Sequence, residues 1–335
     1  MASPFQDALN PWRSGGEEDG MRKIYDDERL MARAGDMYYN RDMPLSEIAA
    51  ELGISRPTLK KLLTRAREIG VIKIIIPDLN GRDYYDREYE LKRKYRLRDV
   101  IITDSADELN LQREICGRAA AAYLDRIIKN GCIVGFGMGV TMNAMLRFLN
   151  PASKLKDVTF LPLLGGMSDS APEIHSNHIV ASAARRYGGK CLSFCAPARV
   201  DRLQTKLELM REAGVSSILN TAKRMDIAMT SLGAAGEDYN RVRRIYYDSP
   251  EIRRHALECG ICGDMLLQCY DAQGDTDAFE YNKFVVGVEL RQFRQVPCSI
   301  GIAGGAHKAD SVRGAIAGGY LNVLITDIRC AELLL

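Results

Sequence analysis

The sequence predicts an α/β chain in two parts, a small basic helical head and a larger unit built on a parallel sheet with helices on both faces. Three observations predict it. Between residues 43 and 78 two short helical patterns are joined by a glycine turn, and the second is strongly basic. From about residue 99 onward strand-like and helix-like stretches alternate, and the strand-like ones are almost continuously apolar, as strands buried on both sides are. A length of 335 residues is more than one ordinary core needs, which points to two or three domains.

The elements follow in chain order. Residues 1–20, "MASPFQDALNPWRSGGEEDG", mix Pro, Gly and acidic residues without periodicity and read as a flexible arm carrying the one tryptophan, Trp12. Over 22–40, Ile24, Leu30, Met31, Ala34, Met37 and Tyr38 make an approximate helical stripe. The next helix puts Leu45, Ile48, Ala49 and Leu52 on one face. Gly53 then supplies a turn, and Ser55 caps a second helix with Pro57 in its first turn, where a missing N–H costs nothing. Gly70 stops that helix, and "VIKIIIPD" has the β-branched content of a wing strand. The domain reading is therefore an arm over 1–20, a winged helix-turn-helix over 21–78, a linker helix over 79–98 and a sheet unit over 99–335. The linker, rich in tyrosine and basic at its end, has the amphipathic character of a helix that pairs with its twin.

Charge separates the helical pair from an ordinary hairpin. The net formal charge is only +2, but residues 56–73 hold Arg56, Lys60, Lys61, Arg65, Arg67 and Lys73 against Glu68 alone. In a recognition helix the N-terminal residues reach base edges, which gives that role to Ser55, Arg56, Thr58 and Lys60. Lys61, Arg65 and Arg67 suit phosphates. The expected partner is double-stranded DNA.

In the sheet unit, apolar stretches begin near 100, 132, 158, 191, 226, 299 and 321, with helical stretches between them. Ligands in such a sheet bind beyond the carboxyl ends of the strands, and several strands here end in glycine: Gly135, Gly137 and Gly139; Gly165 and Gly166; Gly233 and Gly236; Gly304 and Gly305. "GFGMGVT" is no dinucleotide fingerprint, because Val140 stands where the third glycine belongs, and no phosphate-loop lysine motif occurs. What remains is a strand, G-x-G-x-G-x-T and a helix, with Thr141 adding a hydroxyl to backbone amides: a loop suited to a small phosphate. Lys308, in the first turn of a later helix, is mildly unfavourable there unless an anion sits beside it. Asp264 can accept hydrogen bonds from sugar hydroxyls, and Asp271 reads as the first residue of a turn.

Hydrophobic residues make up 46% and charged residues 27%, the balance of a globular protein. No run approaches a membrane span and no signal-peptide pattern opens the chain, so a cytoplasmic protein without membrane contact is expected. Nine cysteines, mostly in apolar segments, read as reduced thiols rather than a disulfide framework. His255, Cys259 and Cys262 in "HALECGIC" offer a single CxxC with a nearby histidine, a weak metal or redox pattern. His175 and His178 read as core or surface residues.

"LSEIAAELGISRPTLKKLLTRAREIGVIKI", "GFGMGVT", "PLLGG", "GDMLLQCYDAQG" and above all "AGGAHKADSVRGAIAGGYLNVLITD" together resemble the SorC family of bacterial transcriptional regulators, from about residue 22 onward. The resemblance implies a winged helix-turn-helix joined to a Rossmann-like effector domain similar to sugar-phosphate isomerases and deaminases, without a catalytic task or cofactor. It further implies that a phosphorylated sugar bound in that domain alters the hold on operator DNA, usually in a homodimer or homotetramer. By motif, Gly137, Gly139 and Thr141 would contact the phosphate, Gly165 and Gly166 would line the pocket, and Asp264 and Lys308 would bind the effector. The branch that responds to deoxyribose phosphate has a Schiff-base lysine before the glycine pair; Leu164 stands here, so covalent capture does not carry over.

Two other functions compete with a regulator at this level. An enzyme would need a base at the reacting carbon, for which only Asp169, Glu173 and Asp264 are placed near the loops. A thiol or metal sensor would keep the head and take its signal at His255, Cys259 and Cys262.

Overall fold

A computed structural model describes residues 25–73, 84–150, 155–166, 172–235 and 250–335. The chain divides into two units, Met1–Arg82 and Asp83–Leu335.

The first unit holds α1 (Glu28–Gly35), α2 (Leu45–Leu52) and α3 (Arg56–Glu68). Asp27 caps α1 by accepting the Leu30 N–H at 2.9 Å. Their apolar faces meet in one small core in which Met31, Ala34, Ile48, Leu59, Leu62 and Ala66 are buried. Gly53 ends α2 with φ 67°, the left-handed conformation that turns the chain toward α3. Residues 71–73 are described without a strand, and 74–83 lie outside the described residues, as do the arm, Ile24, Asp169 and Gly236.

The second unit begins with α4 (Tyr85–Tyr95) and β1 (Asp99–Thr103), followed by α5 (Leu109–Ile127), β2 (Ile133–Phe136), α6 (Val140–Leu146), β3 (Thr159–Pro162), α7 (Ser176–Tyr187) and β4 (Lys190–Cys191). Then come α8 (Leu203–Arg211), α9 (Ala213–Ala222), β5 (Ile227–Ser231) and β6 (Gly233–Ala234). The last third holds α10 (Pro250–Glu258), β7 (Gly263–Met265), β8 (Gln268–Tyr270), α11 (Leu290–Phe293), β9 (Cys298–Ala303), α12 (Ala309–Ala317), β10 (Val323–Asp327) and α13 (Ile328–Leu334).

Seven strands form one parallel sheet in the order β1-β10-β9-β5-β2-β3-β4. Alternate residues enter two cores. Phe136, Met229, Ile300 and Ile325 pack with α5, α6 and α7 on one face; Ala228, Leu324 and Leu161 pack with α9, α12 and α13 on the other. Burial on both faces is why these strands read as apolar runs rather than alternating ones. The helix expected as a linker is part of this unit: Leu91 is buried in the second of those cores, and Tyr95 donates its hydroxyl hydrogen to the Leu334 carbonyl at 2.8 Å.

A second, three-stranded antiparallel sheet, β6-β7-β8, has no counterpart in the sequence reading. Its hairpin turns on Leu266 and Leu267, with φ of 53° and 62°. Two-residue hairpins that need positive φ ordinarily use Asn-Gly or Asp-Gly. Here two leucines adopt it while almost fully buried.

Candidate functional site

Strand order locates the site. From β2 the chain steps outward through β3 to β4, then returns to place β5 on the other side of β2 and continues through β9 toward the opposite edge. Connections leaving β2 and β5 thus diverge, and the crevice at their carboxyl ends is where open α/β sheets bind ligands. A chamber of about 90 Å³ lies there, walled by residues following β2, β5 and β9, by α5, and by the Leu266–Leu267 turn.

Each wall is held by identifiable contacts. Gly139 takes φ 129°, and a Cβ there would come within 2.8 Å of the Ser231 hydroxyl; that hydroxyl instead donates to the Met138 carbonyl at 3.2 Å. Gly139 precedes α6, so the amides of Val140 and Thr141 belong to a first turn whose N–H groups the helix itself leaves without acceptors. After β9, Gly305 takes φ 103° and donates its N–H to Asp327, a fully buried carboxylate, at 2.7 Å. The same carboxylate accepts from Ser105 at 2.5 Å and caps α13 through the Cys330 N–H at 3.2 Å. Asp264, opposite Gly233 in the small sheet, is 8% exposed and faces the chamber.

Lys308 sits just before α12, at its N-cap rather than in its first turn, and donates to the Leu232 carbonyl at 2.8 Å. His307 and Arg113 line the chamber beside it. Burial, with the positive charges of Lys308 and Arg113 adding to it and Asp327 opposing, pulls the His307 pKa down to about 4. The imidazole is therefore neutral at neutral pH. Burial pushes the Cys116 thiol up to about 11, so this wall residue is a protonated, unreactive thiol. The chamber gathers two permanent cations, a titratable imidazole and helix-start amides around one carboxylate, a setting suited to an anion that also carries hydroxyls.

The chain's relatives speak to the same unit. Residues 82–335 match the family model "Putative sugar-binding domain". The sorbitol operon regulator of Klebsiella pneumoniae is 30% identical over 319 residues, covering 92% of this chain and 98% of that protein. The crystal structure of that full-length regulator, SorC, superposes with a TM-score of 0.70 at 29% identity, covering 92% of this chain and 99% of that one. The deoxyribonucleoside regulator of Bacillus subtilis is 29% identical over 309 residues, covering 92% of this chain and 97% of that protein. This chain belongs to the SorC family of transcriptional regulators. It is a regulator with a sugar-binding domain, not an enzyme.

A SorC-family regulator needs a surface for DNA, and the first unit carries an exposed basic helix. On α3 the apolar residues turn inward while Arg56, Lys60, Lys61 and Arg65 are exposed. Ser55 caps the helix: its hydroxyl accepts the Thr58 N–H at 3.2 Å and lies 2.7 Å from the Thr58 hydroxyl. Both side chains thus fix the N-terminal end of α3.

Of the residues singled out for the sugar-binding domain of this regulator, Gly139, Thr141, Asp264 and Lys308 come together around the chamber. Gly137 lies beneath it, donating to the Met229 carbonyl at 2.8 Å, with the Thr230 hydroxyl 2.1 Å from where a Cβ would stand. Gly165 and Gly166 do not line it. Their amides donate to the Val286 and Ala196 carbonyls at 3.0 and 2.8 Å, so they pack loops together. Leu164 beside them is fully buried. Sequence reasoning missed Arg113, His307, Gln112 and Ser231. Only His307, adjacent to Lys308, lay close enough in sequence to be found.

His255 lies 3.6 Å from the Cys259 sulfur, but no group of metal-binding side chains forms among the described residues. Burial and the nearby Asp271 and Asp310 push the Cys262 thiol up to about 12. None of the nine cysteines is paired. His175 caps α7 rather than joining it, and Asp271 accepts from the Gln273 and Asp275 amides at 2.9 and 2.8 Å, as the first residue of a turn does. Among the described residues no helix is long and apolar enough to cross a membrane.

Proposed function

We propose that this regulator reads operator DNA through α3 and binds a small phosphorylated sugar in the chamber, and that the ligand shifts the protein between states of different operator affinity. The observation that carries the ligand class is the charge in the chamber: Arg113 and Lys308 stand with one carboxylate, Asp264, and His307 adds a neutral hydrogen-bonding ring. Lys308, Thr141 and the amides after Gly139 suit the phosphoryl group; Asp264 accepts from sugar hydroxyls. Gly137 supports this wall through packing against Thr230 and Leu266, while Gly165 and Gly166 pack loops elsewhere. The printed names of the relatives, for sorbitol and deoxyribonucleosides, agree with a carbohydrate ligand. The working form is a homodimer or homotetramer in the cytoplasm, with Ser55, Arg56, Thr58, Lys60, Lys61 and Arg65 on the DNA.

A thermal-shift series across phosphorylated sugars and their unphosphorylated counterparts tests the reading, because a ligand that binds only the folded state raises the melting temperature. A rise confined to phosphorylated members, with a matching change in operator affinity by mobility shift, is expected. Equal responses to both members of each pair would remove the phosphoryl part of the proposal.

A further inference from the structure

A second opening lies on the outer face of α6 and α7. It has a volume of about 410 Å³ and is lined by Asn143, Leu146, Arg147, His178, Ser182, Arg185 and Arg186. We infer that this cleft is a second anion site, for a small phosphoryl-bearing ligand of more than one negative charge, distinct from the sugar chamber.

Three arginines and a histidine line it, and no carboxylate is among the described lining residues. Some exposed arginines elsewhere in the second unit sit beside acids: Arg126 with Asp99 at 3.2 Å, Arg313 with Asp310 at 2.7 Å, Arg329 with Asp107 at 2.7 Å. Of the three cleft arginines only Arg147 has such a partner among the described residues. Arg185 donates to the Ser182 hydroxyl at 2.9 Å, and Arg186 has no acidic partner among the described residues. Arg147 reaches Glu114 only at 3.6 Å, from outside the cleft. Like charges brought together without counter-charge repel, and an anion removes that cost. Guanidinium groups present paired N–H donors that match phosphoryl oxygens, and the volume falls within the range of small-ligand sites.

The neutral groups complete the site. Ser182 lies within 3.5 Å of the His178 ring, so one hydroxyl links the histidine to Arg185. Leu146 and Asn143 come from α6, and Leu146 is buried in the core against the sheet. A packed helix rather than a loop therefore forms the floor, and Arg185 and Arg186 project from the last turn of another helix. The site is rigid on both sides.

Inorganic pyrophosphate is the probe, titrated calorimetrically into the full-length protein at fixed ionic strength. Saturable binding is expected that survives Lys308→Ala and weakens at least tenfold in the triple variant Arg147→Ala, Arg185→Ala, Arg186→Ala. The single change Arg186→Gln, at an exposed position, should weaken it about threefold with an unchanged melting temperature, which separates lost binding from lost folding. Undiminished binding in the triple variant, binding lost only in Lys308→Ala, or no binding at all would overturn the inference. So would full displacement by non-specific duplex DNA at equal phosphate concentration, which would assign the cleft to a nucleic-acid backbone. The sugar reading fails separately: its signature is a sugar-phosphate melting shift that Lys308→Ala removes and the triple variant keeps.

Discussion

The exposed face of α3 and the chamber at the sheet's carboxyl edge use the same side chains to opposite physical ends. On α3, Lys60, Lys61 and Arg65 stand in water, where charges act through a screened, long-range field. In the chamber, Lys308 and Arg113 are half-buried and bound to fixed partners, and their charge adds to the burial that holds His307 neutral. The first arrangement gives affinity that salt erases; the second gives a few short, directed contacts that salt hardly touches. The consequence is that the two activities can be broken independently.

Charge reversal is the strongest way to break them apart. Lys60→Glu with Lys61→Glu and Arg65→Glu should lower operator affinity by on the order of a thousandfold and flatten its salt dependence, leaving sugar-phosphate binding intact. Fluorescence anisotropy across a salt series measures both. Next comes Leu62→Ala, which empties part of the head's small core and should cost about 2–5 kcal/mol in the first unit. Hydrogen exchange should then show loss of protection over α1–α3 and none over the sheet; loss across both units would mean that they unfold together.

Lys308→Ala sharpens the contrast from the other side. Removing one charged donor should weaken the effector by roughly ten- to a hundredfold while operator affinity stays level, and calorimetry with mobility shift reads both quantities. The smallest effect concerns pH. His307 binds a proton near pH 6.5 when unfolded and only near 4 when folded, so the unfolded chain holds more protons between those values. Stability is therefore full above about pH 6.5 and falls as the pH drops through the window to 4. His307→Gln should flatten the melting-temperature profile in that window; an unchanged slope would assign it to other groups.

The same contrast explains what could be read from the residues alone. The head was legible because everything it needs is local: a cap at Ser55, a turn at Gly53 and charges at helical spacing. The strands of the large sheet were legible too, since the central ones, buried on both faces, write themselves as apolar runs; at the edges β1 alternates and β4 is exposed. The chamber was legible only where a strand end carries glycine. Arg113 lies in the second turn of α5, far in sequence from the strand ends it faces, and nothing local marks it. Gly165 and Gly166 resemble ligand-binding corners in sequence and turn out to be packing corners, because β3 lies one strand beyond the β2–β5 divergence. The small sheet escaped because strands of two or three residues around a Leu-Leu turn carry no turn chemistry.

Strand order also sets a timetable for synthesis. The helices of the head are complete by residue 68, but β5 receives its neighbour β9 only at residues 298–303 and the chamber its lysine at 308. As the chain leaves the ribosome from its N-terminus, the reading head can form long before the element that would govern it. On the proposed function, a chain cut short anywhere in that interval would keep its grip surface and lose its control.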